Sequence, residues 1–230
     1  MVKNALITGA AGNLGLGVVR EFLSQGYRVI ATVMHQRESA RLPDHPLLEA
    51  VVLDLRDEAE VQRNVAEWIG RYGPIQAAVL TTGGYAEGDI RSSNALQLQE
   101  QFELNVLTVF TIARPLFLKM MESGNGHLFF IGARPGLSVH QGKGLLAYSL
   151  SKSLVFRLAE HFNEEARGTA VITSVVVPSV IDTPQNRAAM PDANFDRWVK
   201  PSQIASVIAF HCSEAGALLR EPVIKVYGGS

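Results

Sequence analysis

Residues 4–26 read NALITGAAGNLGLGVVREFLSQG, and the way this stretch folds decides the rest of the chain. NALITG (4–9) is a short apolar run without polar alternation, as in a strand covered on both faces. NLGLGVVREFLSQG (13–26) switches to helical periodicity, with Gly26 placed as a C-terminal stop. Between them lies TGAAGNLG (8–15). Gly9 permits a tight turn, Gly12 lets a phosphate approach the backbone, and Gly15 lets the helix pack closely on the strand. The helix N-terminus then offers free N–H groups and a positive dipole end to a pyrophosphate. An ordinary strand-to-helix turn can hold three glycines as well. The strand–loop–helix setting is what points to a dinucleotide.

Working outward, apolar runs keep alternating with helical patterns. Strands are expected at YRVIATV (27–33), AVVLDL (50–55), QAAVLTT (76–82), HLFFIG (127–132), AVITSVVVP (170–178) and PVIKVYG (222–228). Helices are expected over 58–70, behind an Asp57/Glu60 N-cap pair, and over 95–121, where Pro115 should kink or break the run. Two more are expected over 145–166 and 202–214. This order predicts an α/β fold: a doubly wound parallel sheet of about seven strands with helices on both faces. It reads as one dinucleotide-binding and catalytic domain over 1–230, without repeat or linker. Ligands of such sheets bind at the carboxyl ends of the strands, so the loops 133–144 and 178–201 are the expected substrate walls.

Hydrophobic residues make up 47% of the 230 and charged residues 19%, an ordinary globular balance. A net charge of −1 gives no field that would favour nucleic acid or an anionic membrane. The single cysteine, Cys212, allows no intrachain disulfide, and the six histidines are scattered without metal-ligand spacing. The N-terminus lacks an apolar stretch of signal-peptide length. The expectation is a cytoplasmic protein with a small-molecule substrate and no nucleic acid, membrane or metal partner.

An acid at the end of the second strand would grip the adenosine ribose hydroxyls and favour NAD. Val33 stands at that place, the first acid is Glu38, and His35 and Arg37 lie nearer. NADP is therefore the expected cofactor, held by His35 and Arg37, with NAD as the alternative. Asp54 suits a hydrogen bond from the adenine amino group, or else a turn. In LLAYSLSK (145–152), Tyr148 and Lys152 stand four apart and share one helix face. They are a catalytic pair, or a phenol and an ammonium on a helix surface.

Together TGAAGNLG, Asp54, TTGG (81–84), Asn105 in ELNVLTVF (103–110) and Tyr148-x-x-x-Lys152 resemble the short-chain dehydrogenase/reductase family over nearly the whole chain. The middle glycine comes one place early, at Gly12, with Asn13 where the commonest family form has glycine. The resemblance implies a Rossmann-type sheet and hydride transfer from a nicotinamide. By position, Tyr148 is the proton donor, Lys152 lowers its pKa from about 10 and holds the nicotinamide ribose, and Asn105 supports a water relay. Gly9, Gly12, Asn13, Leu14, Gly15, Asp54, Leu55, Thr82, Gly83, Gly84 and Pro178 fall at cofactor-binding positions, besides Tyr148 and Lys152. The resemblance also implies pairing of long helices across a two-fold axis, hence a homodimer or homotetramer.

The family usually sets a serine just after the fifth strand, and here Ala133 stands there, with Ser138 five residues on. The dihydropteridine reductase branch lacks that serine. TTGGYAEG (81–88), IGAR (131–134) and DTPQNRAAMPDANFDRW (182–198) resemble that branch further. This implies a quinonoid dihydropterin-like substrate bordered by Ala133, Arg134, Tyr85, Met190 and Trp198, with Phe195 a further lid candidate. Reduction of other small carbonyl, quinone or imine substrates is the alternative, as is a dinucleotide sensor without turnover.

Overall fold

The computed structural model describes residues 2–229. Seven parallel strands form one sheet in the order β3-β2-β1-β4-β5-β6-β7. They are β1 Asn4–Thr8, β2 Arg28–Val33, β3 Leu48–Val52, β4 Ile75–Leu80, β5 Asn125–Ile131, β6 Ala170–Pro178 and β7 Val223–Val226. The order reverses direction between β1 and β4, the switch point at which doubly wound sheets bind ligands. Along β1 the side chains alternate between two cores. Leu6 joins the core under Trp68, Ile112, Leu116 and Val155, and Ala5 and Ile7 join the core under Val18, Phe22, Ile204 and Ile208. Because both faces are covered, the strand reads as a continuous apolar run.

Helices α1 (Asn13–Ser24) and α8 (Pro201–His211) cover the second core. Helices α2 (Glu58–Tyr72), α4 (Thr108–Ser123) and α6 (Leu146–Glu165) cover the first. Val18, Val19 and Phe22 on α1 are fully buried, each contributing about 1.5–3 kcal/mol by leaving water. α1 stops as the sequence predicts. Gly26 takes φ +78°, its N–H donates to Leu23 O at 2.9 Å, and that of Tyr27 donates to Phe22 O at 3.0 Å. Asp57 caps α2 by accepting from the Glu60 N–H at 2.8 Å, and Glu60 contributes only that N–H to the cap.

The helix expected over 95–121 is broken, but not at Pro115. α3 (Ala95–Phe102) passes through one π turn, Glu103–Leu107, into α4, which carries Pro115 in its interior. The burial of Ile112, Leu116 and Met120 offsets the hydrogen bond that the proline forgoes. The π turn lies where Asn105 reaches across to neighbouring elements. The stretch Ala95–Ser123 is long and apolar enough to span a bilayer, yet just over half of its apolar window is buried inside the protein. β3 also departs from expectation, ending at Val52 rather than residue 55. It is an edge strand with one exposed face, so the apolar run overstates its length.

Candidate active site

At the head of α1 the three glycines serve different needs. Gly9 has φ +58°, a left-handed conformation that L side chains rarely adopt. A Cβ on Gly15 would fall 2.3 Å from Gly9 O, so only glycine lets the helix approach the turn this closely. A Cβ on Gly12 would meet only Gly9 O, at 3.1 Å, and would project into otherwise open space. That space is the cradle a pyrophosphate needs. Leu14 points into the core and offers the site only its backbone. Asn13 donates its amide to Gln185 Oε1 at 2.7 Å, tying the phosphate turn to the segment after β6.

A groove of about 580 Å³ runs from this turn along the ends of β2, β3 and β4. Gly9, Gly12, Val33, Asp54, Leu55, Thr82 and Gly83 line it. His35 and Arg37 are absent from the lining, and Glu38 and Arg41 take their place. The cause is local. Residues Gln36–Arg41 wind into a 3-10 turn, and the Glu38 carboxylate folds back onto the backbone N–H groups of Met34 (2.9 Å) and His35 (3.3 Å). Asp54 is bound through both its oxygens by Arg56, at 2.9 and 2.8 Å, and that pairing holds its carboxyl below the usual range.

The chemical end gathers around Asn105, which is fully buried. Its Oδ1 accepts from the Gly84 N–H at 3.0 Å. Its Nδ2 faces Gly84 O, Gln101 Oε1 and Ser151 Oγ at 3.0–3.1 Å. Ser151 Oγ in turn donates to Tyr148 O at 2.8 Å. One side chain thereby fixes the loop after β4, the π turn and the Tyr148–Ser151 turn of α6. Lys152 is buried and donates to Ile131 O at 2.9 Å, and burial lowers its pKa to about 8. A Cβ on Gly83 would fall 2.7 Å from Asn105 Oδ1 and 3.2 Å from Lys152 Nζ, so the backbone here packs too closely on these groups to carry a side chain.

Tyr148 differs from expectation in its titration. Desolvation, with Tyr85 beside it, pushes its phenol up to about 12. The lysine does not reverse this, since Lys152 Nζ lies 6.0 Å from the ring centroid and is directed at Ile131. The phenol is therefore held protonated near neutral pH.

Of the proposed substrate residues, Tyr85 comes closest to the centre. Its ring meets that of Tyr148 edge-on at 5.2 Å, and its hydroxyl donates to Glu87 at 3.2 Å. Ala133 is buried directly after β5. Ser138 ends the short helix α5 (Arg134–Leu137) and is exposed. The guanidinium of Arg134 lies over the Tyr227 ring at 4.1 Å, which turns it toward the end of β7. Pro178 closes β6, buried beside these elements. Segment 182–198 leaves and returns through a bridge between Ile181 and Val199, and it carries α7 (Pro184–Ala189) capped by Thr183. Met190 ends α7, partly exposed, whereas Trp198 is buried against Phe195 at 4.8 Å. Trp198 thus belongs mainly to the packing of the segment. Gln101, Ser151 and Gln185 were not foreseen. Gln101 alone had a readable signal, standing one helical turn before Asn105.

Comparison with known proteins agrees with this geometry. A family model described as short chain dehydrogenase matches residues 3–194. The acetoacetyl-CoA reductase of an Acinetobacter species is 26% identical, the match covering 99% of this chain and 97% of the relative. The dihydropteridine reductase of Dictyostelium discoideum is also 26% identical, over 89% of this chain and 85% of its own. Among solved structures, a short-chain dehydrogenase/reductase family oxidoreductase from Burkholderia thailandensis superposes with a TM-score of 0.87 at 24% identity, covering 100% of this chain and 92% of the other. ElxO with NADP bound does so with 0.87 at 21%, covering 100% and 98%. The chain belongs to the short-chain dehydrogenase family and is an NAD(P)-dependent oxidoreductase of that type.

Proposed function

We propose that the chain is an NAD(P)H-dependent reductase that transfers hydride to a quinonoid dihydropterin-like substrate, with Tyr148 as proton donor. The observation that carries this reading is the pairing of a protonated Tyr148 beside the Tyr85 ring with Ala133 where the family sets its serine. A ketone develops oxyanion character that a hydroxyl donor would stabilise, and losing such a donor costs about 10²–10³ in rate. A conjugated imine is already electron-poor and asks mainly for hydride and one proton. Ala133 offers no hydroxyl, and Ser138 sits exposed at the far end of α5.

The turn at Gly9, Gly12 and Gly15 would hold the pyrophosphate of a dinucleotide, which would supply a hydride when bound. Tyr148 gives its proton to the substrate nitrogen as the hydride arrives at the conjugated system. Lys152, buried and donating to Ile131 O, ties α6 to the end of β5 one helical turn beyond Tyr148. Asn105 keeps the Gly84 backbone and the Tyr148 turn in register. The Tyr85 ring supplies an aromatic wall for a flat heterocycle. The exposed Phe110 of α4, with Leu150 and Leu154 of α6, supports assembly as a homodimer or homotetramer, which we place in the cytoplasm.

A second reading, reduction of a 3-oxoacyl thioester, is favoured by the acetoacetyl-CoA reductase relative, whose match runs the length of this chain. Oxidation of NADH and NADPH should be followed with quinonoid dihydropterin, acetoacetyl-CoA, a simple quinone and a simple ketone. Fastest turnover of the dihydropterin supports the proposal, and fastest turnover of the thioester or ketone overturns it. Tight cofactor binding without turnover of any of them would leave a dinucleotide sensor.

A further inference from the structure

We propose that Glu87 selects the substrate, by accepting two adjacent N–H donors from the pyrimidine edge of a pterin whose other ring lies at Tyr148. The inference deepens the dihydropterin reading of the site and rests on it.

The loop after β4 is pinned to the helix that carries the proton donor. Gly88 N–H donates to Gly144 O at 2.9 Å, and Leu146 N–H donates to Gly88 O at 2.8 Å. Leu146 opens α6, two residues before Tyr148. The backbone at Glu87 is therefore held beside the first turn of that helix. The side chain is placed in a second way. Glu87 Oε1 accepts from the Tyr85 hydroxyl at 3.2 Å, and the Tyr85 ring meets the Tyr148 ring edge-on at 5.2 Å. Phenol, aromatic ring and carboxylate thus follow one another in a row. Tyr85 and Glu87 are both exposed, so a ligand can reach them. A flat bicyclic substrate lying against Tyr85 would put one ring by Tyr148 and the other by Glu87.

The far end of that row suits a donor-rich edge. Glu87 spends one oxygen on Tyr85, and among the described residues it enters no ion pair. Its remaining lone pairs are acceptors only. The other acid of the loop is already occupied. Asp89 Oδ1 accepts from Arg91 N–H, Ser92 N–H and Ser92 Oγ, all at 2.9 Å, and so closes its own turn. A carboxylate accepts two parallel N–H groups well, and such charged bonds are about twice as strong as neutral ones. A 2-amino-4-oxopyrimidine presents that pair, its ring N–H beside its amino group. A carbonyl in place of the amino group would set an acceptor against the carboxylate.

The competing explanation is that Glu87 only holds the Tyr85 ring. Glu87→Gln and Tyr85→Phe separate the two. The glutamine oxygen can still accept from the Tyr85 hydroxyl, but its NH2 group meets the substrate's donors with donors. Tyr85→Phe breaks the contact with Tyr85 and leaves the carboxylate. Dissociation constants measured by calorimetry for pterin and for lumazine, which has a carbonyl in place of the 2-amino group, report this edge without turnover. The wild type should bind pterin about tenfold or more tighter than lumazine, as expected for hydrogen bonds to a charged group. Glu87→Gln should lower that ratio by about tenfold and raise the KM for quinonoid dihydropterin to a similar extent, whereas Tyr85→Phe should keep the ratio. Turnover of quinonoid dihydropterin with equal binding of pterin and lumazine overturns the inference alone. An unchanged ratio in Glu87→Gln, or a ratio lost in Tyr85→Phe, does the same. Failure of both pteridines to bind, with no turnover of the dihydropterin, overturns it together with the proposed reductase. A pterin preference that depends on Glu87, without turnover, leaves Glu87 in this role and overturns the reductase only.

Discussion

Replacing Asn105 with alanine removes the polar hub of the site. In the wild type the Asn105 amide accepts from Gly84 N–H and faces three acceptors: Gly84 O, Gln101 Oε1 and Ser151 Oγ. Alanine leaves at least the Gly84 N–H and the Gln101 carbonyl without their partner in a buried place. Each orphaned buried group costs about 1–3 kcal/mol, so the sum is about 2–6 kcal/mol before entering water recovers part of it. A loss of about 3 kcal/mol in a chain of this size corresponds to a fall in Tm of roughly 6–12 °C. The damage should not stop at stability. The same side chain braces the loop after β4 against α6, so turnover should fall further than dinucleotide affinity. Differential scanning calorimetry gives the first quantity, and steady-state kinetics with cofactor titration gives the second. A Tm within about 2 °C of wild type would refute the reasoning, because it would mean that the buried partners find substitutes at no cost.

Gly15→Ala should cost about 1–3 kcal/mol or more and weaken dinucleotide binding, because its Cβ would lie 2.3 Å from Gly9 O and the phosphate turn must move; calorimetric titration checks this. Ser138→Ala should change turnover of a quinonoid substrate by less than about threefold, far from the 10²–10³ expected for a true oxyanion donor. His127, buried with Nε2 against Ser174 Oγ at 3.0 Å, has its pKa lowered by desolvation to about 3. Between that value and about 6.5 the unfolded chain binds the extra proton, so stability should fall as pH drops, by up to about 1.4 kcal/mol per pH unit. His127→Gln should flatten that acid limb, and parallel Tm–pH curves for variant and wild type would contradict the assignment.

The sheet was legible because parallel strands covered on both faces leave continuous apolar runs, and AVITSVVVP became β6 residue for residue. The edge strand β3 was misplaced because only one of its faces is covered. Helices α5 and α7 escaped because four and six residues are too few to show a period, although Thr183-Pro184 was a readable cap. The π turn left no mark of its own, since nothing in a residue pattern distinguishes an i+5 from an i+4 bond. Within the site, residues fixed by local geometry were found, namely the glycine turn and the Tyr148/Lys152 face. Residues brought in by tertiary folding were not. Gln185 meets Asn13 from 172 positions away, and Glu38 enters the groove only because a 3-10 turn swings it past His35 and Arg37. The tyrosine pKa was misjudged for a related reason. Spacing gave Lys152 the right helix face but could not show that its ammonium points at Ile131.

The most direct test of the account is hydride transfer to quinonoid dihydropterin by Tyr148→Phe, measured beside the dissociation constant for the dinucleotide. The phenyl ring can keep the edge-on contact with Tyr85 and loses only the hydroxyl that carries the proton. The account predicts a rate lower by about 10²–10⁴, as for loss of a general acid, with the dissociation constant within about threefold of wild type. A rate close to that of the wild type would contradict it, because the phenol would then not be the proton donor around which the site is built.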